Sequence, residues 1–267
     1  MKHSGRALID FLYREQLEVF RPEDLEGFLG NLEPGAYVML DELVKRGSLT
    51  KLKQGLYACN PPGARGESFM PNWHKVAAAW LQPRPYCIGY YSALQVHNLI
   101  TQPSLKEYII SPQRVQPKEV IMLGIPFEVM YMKPERFFGY QKTWINDHDK
   151  VWCSEIEKTL IDCLDRPQHA GGLEGIVKAL DMSASKINPA KLLEYAERFQ
   201  VQAVIKRLGF VLEAMGLFPE VQESLSTHLT ESYTPLDPSI KLKGRFHRRW
   251  RIEDNIDIGD LIQTIHT

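Results

Sequence analysis

Residues able to do chemistry crowd into one stretch of this chain. Ser154-Glu155-Ile156-Glu157-Lys158-Thr159-Leu160-Ile161-Asp162-Cys163-Leu164 is followed by Arg166-Pro167, His169 and Gly171-Gly172-Leu173-Glu174. Carboxylates at this density could serve general acid–base catalysis, and a thiol near a histidine could serve as a nucleophile. The spacing points elsewhere. Ser154 and Glu157 stand in capping-box register, in which serine and glutamate side chains satisfy the free N–H groups at a helix start. Ile156, Leu160, Ile161 and Leu164 then share one helical face. Pro167 stops the helix, and Gly171-Gly172 permit a sharp turn into the next one. Cys163, beside Leu160 and Leu164, reads as a small buried hydrophobe. The expectation is a structural corner, with no catalytic residue in it.

Other chemistries find equally little support. There is no Gly-x-Ser-x-Gly elbow, Walker A loop or Gly-x-Gly-x-x-Gly run. Gly171 to Gly175 is rich in glycine, but Glu174 would repel a phosphate. Asp147-His148-Asp149 fits no recurrent zinc spacing. Glu128 and Lys133 lack the acid-x-lysine spacing of a magnesium-dependent nuclease. No cofactor or metal site is expected.

With 267 residues, 44% of them apolar, the chain can bury a substantial core, and its net charge is −1. No apolar run approaches the roughly 18 residues of a membrane span, and no signal-peptide core follows the basic N-terminus. The four cysteines form no Cys-x-x-Cys pair, as expected of reduced thiols in a cytoplasmic protein. A near-neutral chain can bind nucleic acid only through local clusters of cations. Two exist. Lys45, Arg46, Lys51 and Lys53 form one. Lys241, Lys243, Arg245, Arg248, Arg249 and Arg251 form the other, with no acid between 241 and 251.

The elements around the first cluster are those of a winged helix-turn-helix. Leu8, Ile9, Phe11, Leu12 and Leu17 suit a first helix. Pro22 opens a second, which stops near Gly30-Asn31. A third begins at Pro34, with Tyr37 or Val38, Leu40, Leu43 and Val44 as its apolar stripe, and ends at Arg46-Gly47. Two short strands, Leu49 to Lys51 and Leu56 to Ala58, flank Lys53-Gln54-Gly55 as a basic-tipped hairpin. In such modules the third helix enters the major groove and the wing touches the backbone. Pro61-Pro62-Gly63-Ala64-Arg65-Gly66 marks a linker. The division expected is 1–60 for the DNA-binding domain, 61–69 for the linker and 70–267 for a larger domain. In that domain strands precede helices, which favours α+β over a doubly wound fold. Helices are expected at 73–81, 173–182, 189–199 and 204–215, with strands near 86–91, 108–110, 120–123, 127–132, 151–153 and 250–252.

At this point four blocks bring a known family into view. They are Ile88-Gly89-Tyr90-Tyr91-Ser92-Ala93-Leu94 running to His97-Asn98-Leu99-Ile100-Thr101-Gln102; the 154–172 segment; Tyr195-Ala196-Glu197-Arg198 with Lys206-Arg207-Leu208-Gly209-Phe210-Val211-Leu212-Glu213; and Leu236-Asp237-Pro238 with Arg249-Trp250 and Asn255. In this order they resemble the C-terminal domain of the AbiEi family of antitoxins, the antitoxin half of type IV abortive-infection systems. Gly55-Leu56-Tyr57 is similar to the end of that family's winged domain. The resemblance implies a transcriptional autorepressor that binds double-stranded DNA at operator inverted repeats. It also implies functional pairing with a nucleotidyltransferase toxin, without a stable complex. The alternatives are a module that grips its toxin directly, through the surface around Tyr195 to Glu213, a stand-alone regulator, or a DNA-acting nuclease.

The chain departs from the family in one place. Recognition helices there often carry basic or small polar residues early, whereas Glu33-Pro34-Gly35-Ala36-Tyr37 opens this one and Asp41-Glu42 follow. DNA affinity is therefore expected from Lys45, Arg46, Lys51, Lys53 and Gln54, with Tyr37 and Gln54 reaching bases or sugars. Arg245, Arg248, Arg249 and Arg251 would extend the positive surface.

Overall fold

The computed structural model describes residues 4–30, 34–64, 69, 71–227 and 229–265. The chain is α+β, with N-terminal helices and a small sheet followed by a larger sheet-containing part. It divides into two compact units, residues 1–86 with 119–127, and residues 87–118 with 128–267.

In the first unit, α1 (Gly5–Arg14) starts at Ser4, whose side chain accepts the Ala7 N–H at 3.3 Å, and buries Leu8 and Leu12. Then come β1 (Val19–Phe20), a 3-10 turn at Pro22–Leu25, α2 (Glu26–Leu29) and α3 (Pro34–Lys45). The single second helix expected from Pro22 is thus split. Asp24 accepts the Arg21 N–H at 2.7 Å and holds the tighter turn. Residues 31–33, where the helix-turn-helix connection and the Asn31 and Glu33 readings fall, lie outside the described residues.

The hairpin of β2 (Leu49–Lys53) and β3 (Leu56–Cys59) turns at Gly55, whose φ of +72° a side chain would strain. β1 adds antiparallel to β3, giving the order β1-β3-β2. Leu8, Leu12, Phe20, Leu25, Leu40, Leu43, Leu49 and Tyr57 form the core of this unit. The apolar stripe of α3 needs correction. Ala36, Leu40 and Leu43 face inward, while Tyr37 and Val38 are exposed.

The 61–69 segment does not divide the compact units, and its residues 65–68 lie outside the described residues. Beyond it, α4 (Trp73–Leu81) groups with the first unit. The Lys75 ammonium lies 2.8 Å from the Glu18 carboxylate, and the Arg21 guanidinium donates to the Gln82 carbonyl.

Beyond α4 the chain forms β4 (Cys87–Ile88), α5 (Tyr90–Val96), β5 (Glu107–Ser111), β6 (Glu119–Met122), β7 (Ile125–Tyr131), β8 (Tyr140–Trp144) and β9 (Lys150–Ser154), of which β6 and the start of β7 fall in the first unit. The sheet order is β6-β7-β5-β4-β9-β8, with β4 parallel to β9 and β8 antiparallel to it. Then follow α6 (Ile156–Asp165), α7 (Gly172–Ser183), α8 (Pro189–Phe199), α9 (Gln202–Ala214) and α10 (Pro219–Ser226). A small sheet, β10 (Thr234–Pro235), β11 (Arg245–His247) and β12 (Ile252–Asp254), in the order β10-β12-β11, precedes α11 (Ile258–Ile265). The strand expected at 250–252 begins only at Ile252, because Trp250 lies in a turn and Arg251 has a φ of +51°.

The corner is a corner, but the capping box is not there. Glu155 is the N-cap of α6 and makes no side-chain capping bond. Ser154 belongs to β9, and its hydroxyl lies 2.7 Å from the Thr159 hydroxyl. The Glu157 carboxylate instead accepts the Asn188 N–H at 2.9 Å, at the entry to α8. α6 is buried from Glu157 to Leu164, polar residues included. Arg207 of α9 donates to the Leu164 carbonyl at 2.8 Å, a cation at the negative end of the α6 dipole. Gly209 lets Trp250 lie against α9, since a Cβ there would stand 1.9 Å from the indole ring. No helix among the described residues is long and apolar enough to cross a membrane.

Candidate nucleic-acid interface

The basic residues expected to meet DNA fall in both compact units, Lys45, Arg46, Lys51 and Lys53 in the first and Arg245, Arg248, Arg249 and Arg251 in the second. In the first, α3 packs its Ala36–Leu40–Leu43 stripe inward, which turns Tyr37, Val38, Asp41, Glu42, Lys45 and Arg46 to solvent. Tyr37 is 45% exposed and could meet a base or sugar edge. The acids temper the rest of this face. Arg46 sits 3.5 Å from the Glu42 carboxylate, one helical turn back.

The wing carries the cleaner charge. On β2, Leu49 and Leu52 are buried, while Lys51 and the turn residue Gln54 are exposed. Lys51 forms no ion pair among the described residues. Lys53 follows the register shift between Lys51 and Lys53 and lies half-buried, its ammonium 5.1 Å from the Trp80 ring centre. Burial, helped by the nearby Arg84 guanidinium, lowers the Lys53 pKa from its ordinary value. Arg84, exposed before Pro85, is a cation of this surface that sequence reasoning missed. Nothing in its spacing from Lys53 signals their proximity.

In the second unit the tail cluster splits. The Arg249 guanidinium meets the Glu213 carboxylate at 2.5 Å, and that carboxylate also accepts the Trp250 indole N–H at 2.8 Å. Arg251 pairs with Glu231 at 2.9 Å. Arg245 on β11 and Arg248 in the next turn are exposed and form no ion pair among the described residues. Of the four arginines expected on a positive surface, two are thus held by acids outside the 241–251 window. Two exposed aromatics were also missed. Phe246 lies between Arg245 and His247, and Tyr233 stacks edge-on against it at 4.9 Å. A large hydrophobe inside a run of cations was the available signal.

The other candidate groups serve the interior. Burial raises the Cys163 and Cys153 thiols well above their usual pKa, the reverse of what activates a nucleophile. His97 Nε2 donates to the Ser154 carbonyl at 2.6 Å, and burial lowers its pKa. In the loop at 146–149, the Asn146 side chain accepts the His148 and Asp149 N–H groups. The Tyr195–Glu213 region, the alternative face for a partner, is mostly core. Tyr195, Phe199, Val204 and Lys206 to Leu212 are buried. Lys206 donates to the Thr230 hydroxyl at 2.8 Å, and Arg207 to the Pro235 carbonyl at 3.1 Å.

No known family matches the chain, and none of the curated proteins does. Among solved structures, it is similar to the RV2827C protein from Mycobacterium tuberculosis, with a TM-score of 0.71 at 16% identity. That likeness covers 97% of this chain and 94% of the other. At this identity it establishes a shared fold across the chain's length.

Proposed function

We propose that the protein is a DNA-binding transcriptional autorepressor that acts as the antitoxin of a type IV toxin–antitoxin system. The observation that carries the DNA reading is the wing. Lys51 and Gln54 stand exposed on a short hairpin beside a solvent-facing helix, and Lys51 forms no ion pair among the described residues. A cation placed so can sit on a phosphate and fix the register of the module on a duplex. Lys45 adds charge at the C-terminal end of α3, where Asp41 and Glu42 disfavour close approach to phosphate. Tyr37 and Gln54 remain to touch bases or sugars. Arg245 and Arg248 form a second positive surface. The protein acts in the cytoplasm and performs no reaction of its own. The AbiEi resemblance supplies the antitoxin half of the reading, with a nucleotidyltransferase toxin as functional partner.

Gel retardation tests the proposal. The duplex upstream of the protein's own gene, which is expected to hold inverted repeats, should be retained in preference to a scrambled duplex of equal length. Equal retention of the two contradicts an operator-reading repressor. A nucleotidyltransferase in the adjacent reading frame is the expected companion, and a stable co-purifying complex without operator retention would favour direct toxin binding instead.

A further inference from the structure

The edge of the six-stranded sheet displays two indoles and two ammonium groups on one face. β8 is the edge strand and β9 its antiparallel neighbour. Lys142 stands directly opposite Trp152, and Trp144 directly opposite Lys150. Residues paired across antiparallel strands share a face, as do residues two apart along a strand. The register therefore puts Lys142, Trp144, Lys150 and Trp152 on one side, while Val151 and Cys153 are buried on the other. Trp144 is 57% exposed and Trp152 36%. The Lys150 ammonium lies 4.2 Å from the Trp144 ring centre, and that of Lys142 lies 5.1 Å from Trp152. Tyr140, on the same face, meets Trp152 edge-on at 5.7 Å. Neither strand contains an acid. Both lysines are exposed, and neither forms an ion pair among the described residues. Of the acids that flank the strands in sequence, Glu155 lies 2.9 Å from the Lys191 ammonium, and Asp149 accepts from the Asn146 amide at 2.9 Å. Asp147 is exposed in the loop that joins the strands.

A duplex hides its base faces inside the stack, whereas an unpaired strand offers both a phosphate and a free π-face. Aromatics displayed on one face of a sheet stack two or three unpaired bases in RNA-binding domains. Trp144 and Trp152 are diagonal neighbours on adjacent strands, about 7–8 Å apart along the backbone, and so can take successive bases. A base stacked on an indole gains more than an ammonium over an exposed ring. A base therefore displaces the lysine, and the freed ammonium meets the neighbouring phosphate. A neutral sugar would give the lysines no partner, and an acidic peptide would leave the indoles without one. We propose that this face binds single-stranded nucleic acid, with Trp144 and Trp152 stacked on bases and Lys142 and Lys150 on phosphates. The proposal is independent of the wing and of operator reading.

The test is fluorescence anisotropy on the full chain with labelled oligo-dT and oligo-U of about twelve nucleotides, and with the operator duplex. Trp144→Ala is expected to weaken oligonucleotide binding about ten-fold and leave the duplex unchanged. Trp144→Phe should retain most of the binding. Lys142→Ala with Lys150→Ala, both exposed positions, should make the slope of log K against log salt shallower by about 1.4 for the oligonucleotides. The tighter of oligo-dT and oligo-U identifies deoxyribose or ribose as the source. Lys51→Ala with Lys53→Ala should weaken the duplex alone. Oligonucleotide binding unchanged by Trp144→Ala overturns the proposal, and so does a salt slope unchanged in the Lys142 and Lys150 variant. Capture by anionic phosphatidylglycerol vesicles with no oligonucleotide bound would make the face a membrane contact and overturn it too. Oligonucleotide binding without operator binding would leave this face standing and defeat the repressor. Operator binding without oligonucleotide binding defeats this proposal alone.

Discussion

Helices α6 and α3 carry the same local device and use it oppositely. Lys158 and Asp162 of α6 stand one turn apart and pair, as do Glu42 and Arg46 of α3. The α6 pair is sealed inside the larger unit, with Met132 Sδ 3.7 Å from the Lys158 ammonium and the Phe138 and Phe199 rings about 5 Å away. The α3 pair is in water, 70% and 57% exposed. Two charges removed from water must be compensated by each other, whereas two in water gain little from meeting. The buried pair is therefore architecture. The exposed helix and its wing are free to meet a charged partner.

The largest expected effect comes from breaking the buried pair. Lys158→Met leaves Asp162 without its cation and should cost about 3–5 kcal/mol in denaturant unfolding. Lys158→Met with Asp162→Leu should recover most of that loss. A single substitution costing under about 1 kcal/mol would mean that the two charges are not a unit.

A pH series sharpens the same point. Burial raises the Asp162 pKa to about 6 from an ordinary 3.8, against the opposing pull of Lys158. Its second oxygen has no hydrogen-bond partner among the described residues. The folded state thus holds this proton more tightly than the unfolded state does. The stabilisation from Asp162 is full below the ordinary carboxylate pKa and is lost as pH rises through about 6. Between those values wild type should lose stability relative to Asp162→Asn as pH rises, and parallel profiles would contradict the shift.

Smaller effects belong to the surface. Arg249→Ala breaks a half-exposed pair with Glu213 and should cost no more than about 1 kcal/mol. Glu213→Ala should cost more, because the Trp250 indole N–H loses its acceptor as well. Lys51→Ala should change stability by less than about 0.5 kcal/mol while still weakening duplex binding. A stability loss above about 1 kcal/mol there would make the wing lysine part of the scaffold.

The legible parts of the sequence were those fixed by local pattern. Helices with a cap and a 3.6-residue stripe, such as α8 with Asn188 before Pro189, stand where expected. The wing turn at Gly55 does too. Patterns completed by distant residues misled. Ser154 and Glu157 have capping-box spacing, yet β-sheet pairing claims Ser154 and the start of α8 claims Glu157. The tail looked uniformly cationic because Glu213 and Glu231 lie far outside the run. β8 was missed because its outward Lys142 and Trp144 are solvent-exposed on an edge strand, so no apolar run marks it. Tyr90 adopts a φ of +50° and starts α5, cutting short a strand expected to run through it. Phe246, a large hydrophobe inside a run of cations, carried a signal that was passed over, and its 62% exposure is visible only in the structure.

The central claim is that the exposed wing holds duplex DNA through phosphate contacts. The most direct measurement is the salt dependence of operator binding for wild type and for Lys51→Ala with Lys53→Ala. Each phosphate contact removed lowers the slope of log K against log salt by roughly 0.9. The double variant should bind more weakly, with a slope shallower by about one to two; the half-buried Lys53 over Trp80 should account for the smaller share. A slope equal to that of wild type would contradict a wing that grips phosphate.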